Sequence, residues 1–247
     1  MEIEKIRDLS LIKLDETRTM IIACDSCGGV GSKKGDVLKI PPFYVGRFTA
    51  RVVLLEVICS GAEVVTITNT VCNEMDNTGI EIIRGIKEEL KEAGIRDVIL
   101  TGSTEENFTT VSTGLGITAA GIAVTENLKV NNVKGEAVII SAGLPKVGAE
   151  INLEWDEEIV HYRTIYELLH NDLVYEIVPV GSKGMAYEAN QLAVNNNLKC
   201  HIKGSCGVDV QRSGGPETSV IAAVDSKAVE NILKAVPKTH VIGYLKK

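Results

Sequence analysis

The chain has 247 residues, of which 45% are hydrophobic, 24% charged and only 4% aromatic, and its net charge is −7 at pH 7. This balance is typical of a globular protein with an aliphatic core, and the length suits one large domain or two smaller ones. The acidic charge argues against nucleic acid as the main partner, because affinity for a polyanion comes mostly from Lys and Arg. A small phosphorylated ligand is not excluded, since it needs only a local basic patch.

The first residues do not have the pattern of a secretory signal peptide. No apolar run approaches the roughly 20 residues that span a bilayer. We therefore expect a cytoplasmic protein without a membrane partner.

Cys24 and Cys27 form a C-x-x-C motif, which could be half a zinc site or a redox pair. No second C-x-x-C or paired histidines complete a zinc tetrad, so reduced, structural cysteines are the better interpretation.

The apolar patterns predict alternating helices and strands in two α+β halves. In the first half they predict a helix or irregular lead-in over 3–14, strands over 19–24 and 37–40, a helix over 45–60, a strand over 64–71, a helix over 78–93, and strands over 98–102 and 111–124. The polar stretch 127–135 is a plausible linker. Beyond it they predict a strand over 138–143, helices over 157–170 and 184–197, a strand over 218–224, a helix over 226–235 and a strand over 239–245.

The most informative segment is the glycine loop, which we define as residues 28–36, together with the strand before it. The strand places Asp25 directly ahead of the loop, and the loop contains Lys33, Lys34 and Asp36. Glycines allow close approach to a ligand, and consecutive free N–H groups form an anion-binding nest. A carboxylate ahead of such a nest could hold a magnesium ion that bridges phosphates. The alternative is an ordinary surface turn, because the spacing matches neither a Walker A nor a dinucleotide-binding pattern.

Six segments along the chain resemble, in order, the motifs of the superfamily that contains aminoimidazole ribonucleotide synthetase, selenophosphate synthetase and thiamine-monophosphate kinase, the PurM-like proteins. These segments are Ile22–Asp25, Leu55–Ala62, Thr101–Thr104, Lys134–Gly143, Gly181–Met185 and Arg212–Pro216. The resemblance implies a two-domain PurM-like fold, with an N-terminal ATP- and metal-binding domain over 1–126 and a C-terminal α/β sandwich-like domain over 134–247. It also implies a homodimer in which the N-terminal sheets pair.

The resemblance assigns roles to residues of this chain. It implies magnesium ligands at Asp25, Asp36 and Glu56, and catalytic roles for Asp25 and Lys183. The expected nucleotide-binding residues are Gly28, Gly29, Gly31, Lys33, Lys34, Thr101, Gly102, Ser103 and Thr104. The expected substrate-binding residues are Gly181, Ser182, Ser213, Gly214 and Gly215.

Three positions depart from the superfamily pattern. Glu56 stands where Asp is usual, Ser103 replaces a metal-binding Asp, and Lys183 replaces the Asp of the C-terminal turn. The chain looks most like the alpha-ribazole kinases, which implies ATP- and Mg²⁺-dependent phosphorylation of a nucleoside-like molecule. Lys183 could then face a phosphate, although it could equally be a solvated turn residue. The alternative function is a maturation or regulatory factor that keeps the fold and acts through a protein partner.

Overall fold

The computed structural model describes residues 2–247, which form two compact units, each built around its own sheet. One unit contains the residues up to Ile58 together with Ala62–Thr125, and the other contains Cys59–Gly61 and Glu126–Lys247. Both combine helices with a mostly antiparallel sheet, so the predicted α+β class is confirmed. Within residues 2–247, no helix is both long enough and apolar enough to cross a membrane.

The first unit contains a six-stranded sheet in the order β1-β2-β3-β8-β6-β7 and a two-stranded sheet of β4 and β5. Its elements are β1 (Ile3–Ile6), β2 (Leu9–Lys13), β3 (Arg18–Gly28), β4 (Val30–Gly31), β5 (Leu38–Lys39), α1 (Pro42–Cys59), β6 (Glu63–Val71), α2 (Ile80–Glu92), β7 (Ile99–Ser103) and β8 (Gly114–Val124). The segment Met75–Gly79, whose backbone is non-helical at Asp76 and Asn77, leads into α2. Strands β6 and β7 run parallel and β8 runs antiparallel to β6.

Helix α1 covers one face of the six-stranded sheet. A Cβ on Gly121 would lie 2.5 Å from Cγ1 of Val57, so the glycine allows α1 to approach β8 closely. Ile21 of β3 stands opposite Gly121 and is fully buried, as the α1-covered face requires. Side chains alternate between faces along a strand, so every second residue of β3 points toward this helix.

Helices α1 and α2 meet through two glycines that allow their backbones to touch. A Cβ on Gly46 would lie 2.0 Å from the carbonyl oxygen of Ile82, and a Cβ on Gly85 would lie 1.9 Å from that of Phe43. Both obstacles are backbone atoms, which cannot rotate away as a side chain could. The contact between the two helices therefore depends on glycine at both positions.

Gly85→Ala is expected to destabilise the protein by about 3 kcal/mol, because the new methyl group must push the two helices apart. Chemical denaturation followed by circular dichroism measures this loss. Gly135→Ala is the matched control, since a Cβ at Gly135 would meet no atom within 4 Å. Equal stability of the two variants would contradict the proposed backbone contact.

The predicted lead-in over 3–14 is wrong, because these residues form the hairpin β1–β2. Leu9 and Leu11 are buried while Ser10 between them is exposed, which is the period of two of a strand. Ile3 pairs with Ile12 across the hairpin. The apolar spacing of this segment fits a helix and a strand almost equally. The strand forms because β2 pairs with β3.

The second unit has a five-stranded sheet in the order β10-β12-β9-β13-β11. Its elements are β9 (Ala137–Ala142), α3 (Tyr162–Leu169), β10 (Val174–Pro179), α4 (Met185–Asn195), β11 (Lys199–Ile202), β12 (Val220–Val224), α5 (Val229–Ala235) and β13 (Thr239–Lys246). Every residue of β9 and β12 is buried. The sequence patterns missed β10 and β11; β11 is a four-residue edge strand with alternating partial exposure.

The face of the first sheet that points away from α1 is partly exposed. It carries small and hydroxyl side chains, such as those of Cys24, Thr118 and Thr68, which lie side by side on β3, β8 and β6. An uncovered sheet face and the edge strand β7 are features through which sheets associate. The homodimer with paired N-terminal sheets stays a prediction.

Candidate functional site

Asp25 lies near the end of β3, and its side chain points to the face that α1 covers. It stands opposite Ile117 of β8, which in turn stands opposite the buried Asn69 of β6. Burial raises the pKa of Asp25 above its usual value, a backbone hydrogen bond at Ser26 partly offsets this, and the charge of Asp8 raises it further. Within residues 2–247, no lysine or arginine forms an ion pair with this carboxylate.

Asp36 closes the glycine loop. Its buried carboxylate accepts hydrogen bonds from Lys33 N (2.8 Å), Ser112 Oγ (2.9 Å), Thr113 N (2.6 Å) and Thr113 Oγ1 (2.7 Å). Burial by itself would raise the pKa of Asp36, but these bonds, those from Thr113 first, lower it below the usual value. The contact between Asp36 and Thr113 leaves no room for a side chain at Gly31, since a Cβ there would lie 2.3 Å from Thr113 Oγ1.

Lys33 is joined to Glu74, which follows β6. The Lys33 ammonium donates to Glu74 Oε2 at 2.5 Å, and the same carboxylate accepts from Thr110 N and Thr110 Oγ1, both at 2.8 Å. The hydrogen bond from Lys33, followed by those from the backbone and from Thr110, lowers the pKa of Glu74 to about 2. Glu74 is therefore ionised throughout the physiological range.

The loop backbone is largely occupied by internal hydrogen bonds. The amides of Gly29 and Gly35 donate to the carbonyl oxygens of Thr113 and Val111, at 2.9 and 2.6 Å. The ammonium of Lys39 donates to two loop carbonyl oxygens, those of residues 33 and 34. The Lys34 side chain is exposed and, within residues 2–247, has no hydrogen-bond or ion-pair partner. Lys34 is thus the loop cation that can take an external anion without breaking an internal contact.

The predicted residues Thr101–Thr104 lie at the end of the edge strand β7. Asn69 pairs with Gly102, and a Cβ on Gly102 would lie 2.5 Å from the Asn69 side chain, on the α1-covered face. Thr101 and Ser103 must therefore point to the opposite, open face, where both are exposed. The structure places these two side chains and that of Asp25 on opposite faces of one sheet.

The three predicted magnesium ligands do not form a cluster. In the described part of the chain, residues 2–247, no group of three or more His, Cys, Asp or Glu side chains could together hold a metal ion. Asp36 is saturated by hydrogen bonds and Glu56 lies partly buried on α1, so Asp25 is the member whose carboxylate best fits the role. Mg²⁺ commonly takes one or two protein carboxylates together with phosphate oxygens and water. The ligand set stays a prediction.

The C-x-x-C motif is neither a redox pair nor half a metal site in this fold. Cys24 and Cys27 are three residues apart on β3, so their side chains point to opposite faces of the sheet. All six cysteines are free thiols. Burial raises the pKa of Cys27, with a hydrogen bond from Thr49 of α1 opposing it, which makes this thiol a poor nucleophile.

The predicted substrate-binding residues of the second unit lie together. The amide of Gly214 donates to the carbonyl oxygen of Gly181 at 3.0 Å, and Ser213 Oγ accepts from the amide of Gly215 at 3.1 Å. Gly184, at φ +81°, ends the turn and begins α4, and a Cβ there would lie 2.8 Å from the backbone of Gln211. The two glycine motifs therefore form one surface at the start of α4, which also carries Ser182.

Lys183 is exposed on this turn and lies over the ring of Tyr187, 4.3 Å from its centroid. Its ammonium also donates to the Tyr187 hydroxyl at 3.2 Å. The pair is one helical turn apart at the exposed start of α4, so this contact holds Lys183 at the glycine surface.

The sequence patterns did not assign Thr110, Asn73 or Glu74 to the site. Asn73 is fully buried and donates to Thr110 Oγ1 at 2.7 Å and to the carbonyl oxygen of Ser112 at 2.8 Å. The position of Asn73 and Glu74 directly after the β-branched strand β6 was the available signal. Thr110 lies in a loop with no pattern of its own.

Comparison with known proteins finds one family model that resembles part of the chain, within the first unit. Residues 7–123 match the AIR synthase related protein, N-terminal domain. This segment contains Asp25, the glycine loop and Glu74. No protein of curated function matches the chain in sequence.

Solved structures resemble the chain over nearly its whole length. Thermotoga maritima PurL complexed with AMPPCP is 14% identical with a TM-score of 0.70, over 96% of this chain and 42% of PurL. A HypE–HypF complex is 15% identical with a TM-score of 0.70, over 96% of this chain and 86% of that one. AaThiL complexed with AMPPCP and TMP is 15% identical with a TM-score of 0.66, over 97% of this chain and 84% of AaThiL.

These similarities establish a PurM-like α+β fold for the chain. The chain spans less than half the length of PurL. At identities of 14 to 15% the likeness concerns the fold, and the substrates of those proteins are properties of those proteins alone.

Proposed function

We propose that the protein binds ATP with Mg²⁺ and transfers a phosphoryl group to a hydroxyl of a nucleoside-like small molecule, with alpha-ribazole as the leading acceptor. The observation that carries the proposal is Asp25, a half-buried carboxylate with a raised pKa. It lies near the end of β3, three residues before the glycine loop begins. A carboxylate without a cationic partner in this position is suited to a magnesium ion that also contacts phosphate. Two of the similar structures contain the nucleotide analogue AMPPCP.

Residues of each unit have a proposed physical task. Asp25 would hold the magnesium ion, which supplies charge neutralisation for the triphosphate when bound. Lys34 offers its free ammonium to a phosphate oxygen. In the second unit, the proposed acceptor-binding residues are Gly181, Ser182 and Gly214 of the glycine surface, and Lys183 is its proposed catalytic cation. Positioning and electrostatic stabilisation account for most of the catalysis in phosphoryl transfer.

ATP with Mg²⁺ is expected to stabilise the protein against heat, because a ligand that binds only the folded state adds stability by mass action. At a ligand concentration one hundred times Kd the gain is about 2.7 kcal/mol, which corresponds to roughly 5–10 °C in Tm for a chain of this size. Differential scanning fluorimetry measures the shift, with adenosine plus Mg²⁺ as the control. A panel of nucleosides, with ADP release as readout, then tests the acceptor.

A second candidate function is a partner-binding factor that retains the fold without catalysis. Two contacts favour it: Lys33 is already paired with Glu74, and Asp36 is saturated by hydrogen bonds. One of the similar structures is a complex of two proteins, HypE and HypF. The absence of any Mg²⁺-ATP shift in Tm would favour this candidate over the kinase.

A further inference from the structure

Three hydrogen-bond donors converge on the carboxylate of Glu74 beside the glycine loop. Lys33 Nζ and Thr110 Oγ1 contact Oε2 at 2.5 and 2.8 Å, and Thr110 N contacts Oε1 at 2.8 Å. An ammonium, a backbone N–H and a hydroxyl are the donor types with which proteins bind phosphate oxygens. The carboxylate thus occupies a place with the chemistry of a phosphate site.

We propose that these donors, Lys33 and Thr110, form a phosphoryl-binding site, and that Glu74 is its internal occupant, which a phosphoryl group of the nucleotide displaces. The proposal deepens the proposed function and rests on it. It assigns Thr110 as a phosphate-contacting residue and Glu74 as an autoinhibitory anion that sets the affinity for the polyphosphate chain.

The donors are held in place by groups other than Glu74. Asn73 donates its amide N–H to Thr110 Oγ1 at 2.7 Å, so the hydroxyl proton of Thr110 must point elsewhere, toward the carboxylate. Asn73 is itself fixed, because its Oδ1 accepts from Gly114 N at 3.0 Å. On the other side, the bond from Lys33 N to Asp36 holds the loop backbone. The site therefore keeps its shape when Glu74 leaves it.

Glu74 is also a replaceable occupant. The Lys33 and Glu74 side chains keep 18% and 24% of their surface exposed, so the pair is reached by solvent and by ligands. Because both side chains are partly exposed, water and salt ions compete with the pair for both charges. A phosphoryl group carries more negative charge than a carboxylate and offers three oxygens to the same donors.

Glu74→Gln is expected to bind inorganic tripolyphosphate and Mg²⁺-ATP about fivefold more tightly than the wild-type protein, since it removes the competing charge. Thr110→Val in the Glu74→Gln background should reverse most of this gain. Glu88→Gln is the matched control, because Glu88 pairs with Lys91 on α2 and its loss changes the net charge equally. Isothermal titration calorimetry at two salt concentrations measures all four proteins, with circular dichroism to verify folding.

The proposal is supported if Glu74→Gln binds the ligands more tightly than the wild-type protein, if Glu88→Gln does not, and if Thr110→Val added to Glu74→Gln removes most of the gain. Wild-type binding of ATP with no gain in Glu74→Gln overturns it and leaves the ATP proposal standing. If Glu74→Gln binds the two ligands and the wild-type protein binds neither, the result supports Glu74 as the internal occupant of the site. The same result counts against ATP use by the wild-type protein. Failure of every protein to bind either ligand overturns both proposals. If Glu74→Gln does not fold, Glu74→Ala, which also removes the competing charge, takes its place with the same expected gain.

Discussion

Asp25→Asn is expected to weaken magnesium-dependent nucleotide binding by more than about 100-fold, because it removes the charged ligand of the ion. At the same time it should raise the Tm of the protein without ligand. The pKa of Asp25 is raised in the folded state by burial, so at neutral pH the folded protein carries the cost of a poorly solvated charge. The neutral amide removes that cost. Binding and stability therefore change in opposite directions.

The pH dependence of the stability gain has a definite sign. A carboxylate whose pKa is raised on folding destabilises the folded state above that pKa, and the effect disappears once the pH is below the ordinary value for Asp. The extra stability of Asp25→Asn should thus be present at neutral pH and vanish in acid. Thermal unfolding between pH 3 and pH 8 tests this, with calorimetry for Mg²⁺-ATP affinity.

Asp97→Asn is the matched control, because Asp97 is exposed and its replacement changes the net charge equally. It should alter neither binding nor the pH profile. Unchanged ATP affinity in Asp25→Asn would contradict the magnesium role, even if the gain in stability were observed. Loss of both binding and stability would indicate a structural role for this carboxylate.

Much of the fold could be predicted because long elements have unambiguous patterns. The β-branched run of β6 and the helical spacing of α1 were predicted to within about three residues of their observed limits. The hairpin β1–β2 was not, because short amphipathic strands share apolar spacings with helices and only their pairing partners decide. Strand β11 depends in the same way on its neighbour β13.

The composition of the candidate site was less predictable, since its contacts join residues far apart in the chain. Lys33 and Glu74 are separated by 41 positions, and Asp36 and Thr113 by 77. The pattern of glycines and charges marked the loop correctly as unusual, but could not show that Asp36 and Lys33 already have partners. Nor could it show that Asp25 and Ser103 point to opposite faces, because this requires the register of four strands.

Lys183→Ala is expected to lower kcat by about 100-fold or more while leaving ATP affinity almost unchanged. Removal of one group that stabilises transition-state charge typically has an effect of this size. Lys183 stands on the glycine turn before α4, beside the surface formed by Gly181 and Gly214. Its contact with Tyr187 holds the ammonium at that surface. Steady-state kinetics with the acceptor found in the nucleoside panel separate kcat from KM.

A purely structural role for Lys183 would consist of its packing against Tyr187 at the exposed start of α4. Tyr187→Phe tests that role, because it keeps the ring under the ammonium and removes only the hydroxyl that accepts at 3.2 Å. If Lys183 supplies charge to the reaction, Lys183→Arg should restore part of kcat, Tyr187→Phe should lose little, and the exposed control Lys203→Ala should be unaffected. If Lys183 only packs, Lys183→Ala should lower Tm without changing kcat. Full activity in Lys183→Ala would remove the residue from the mechanism.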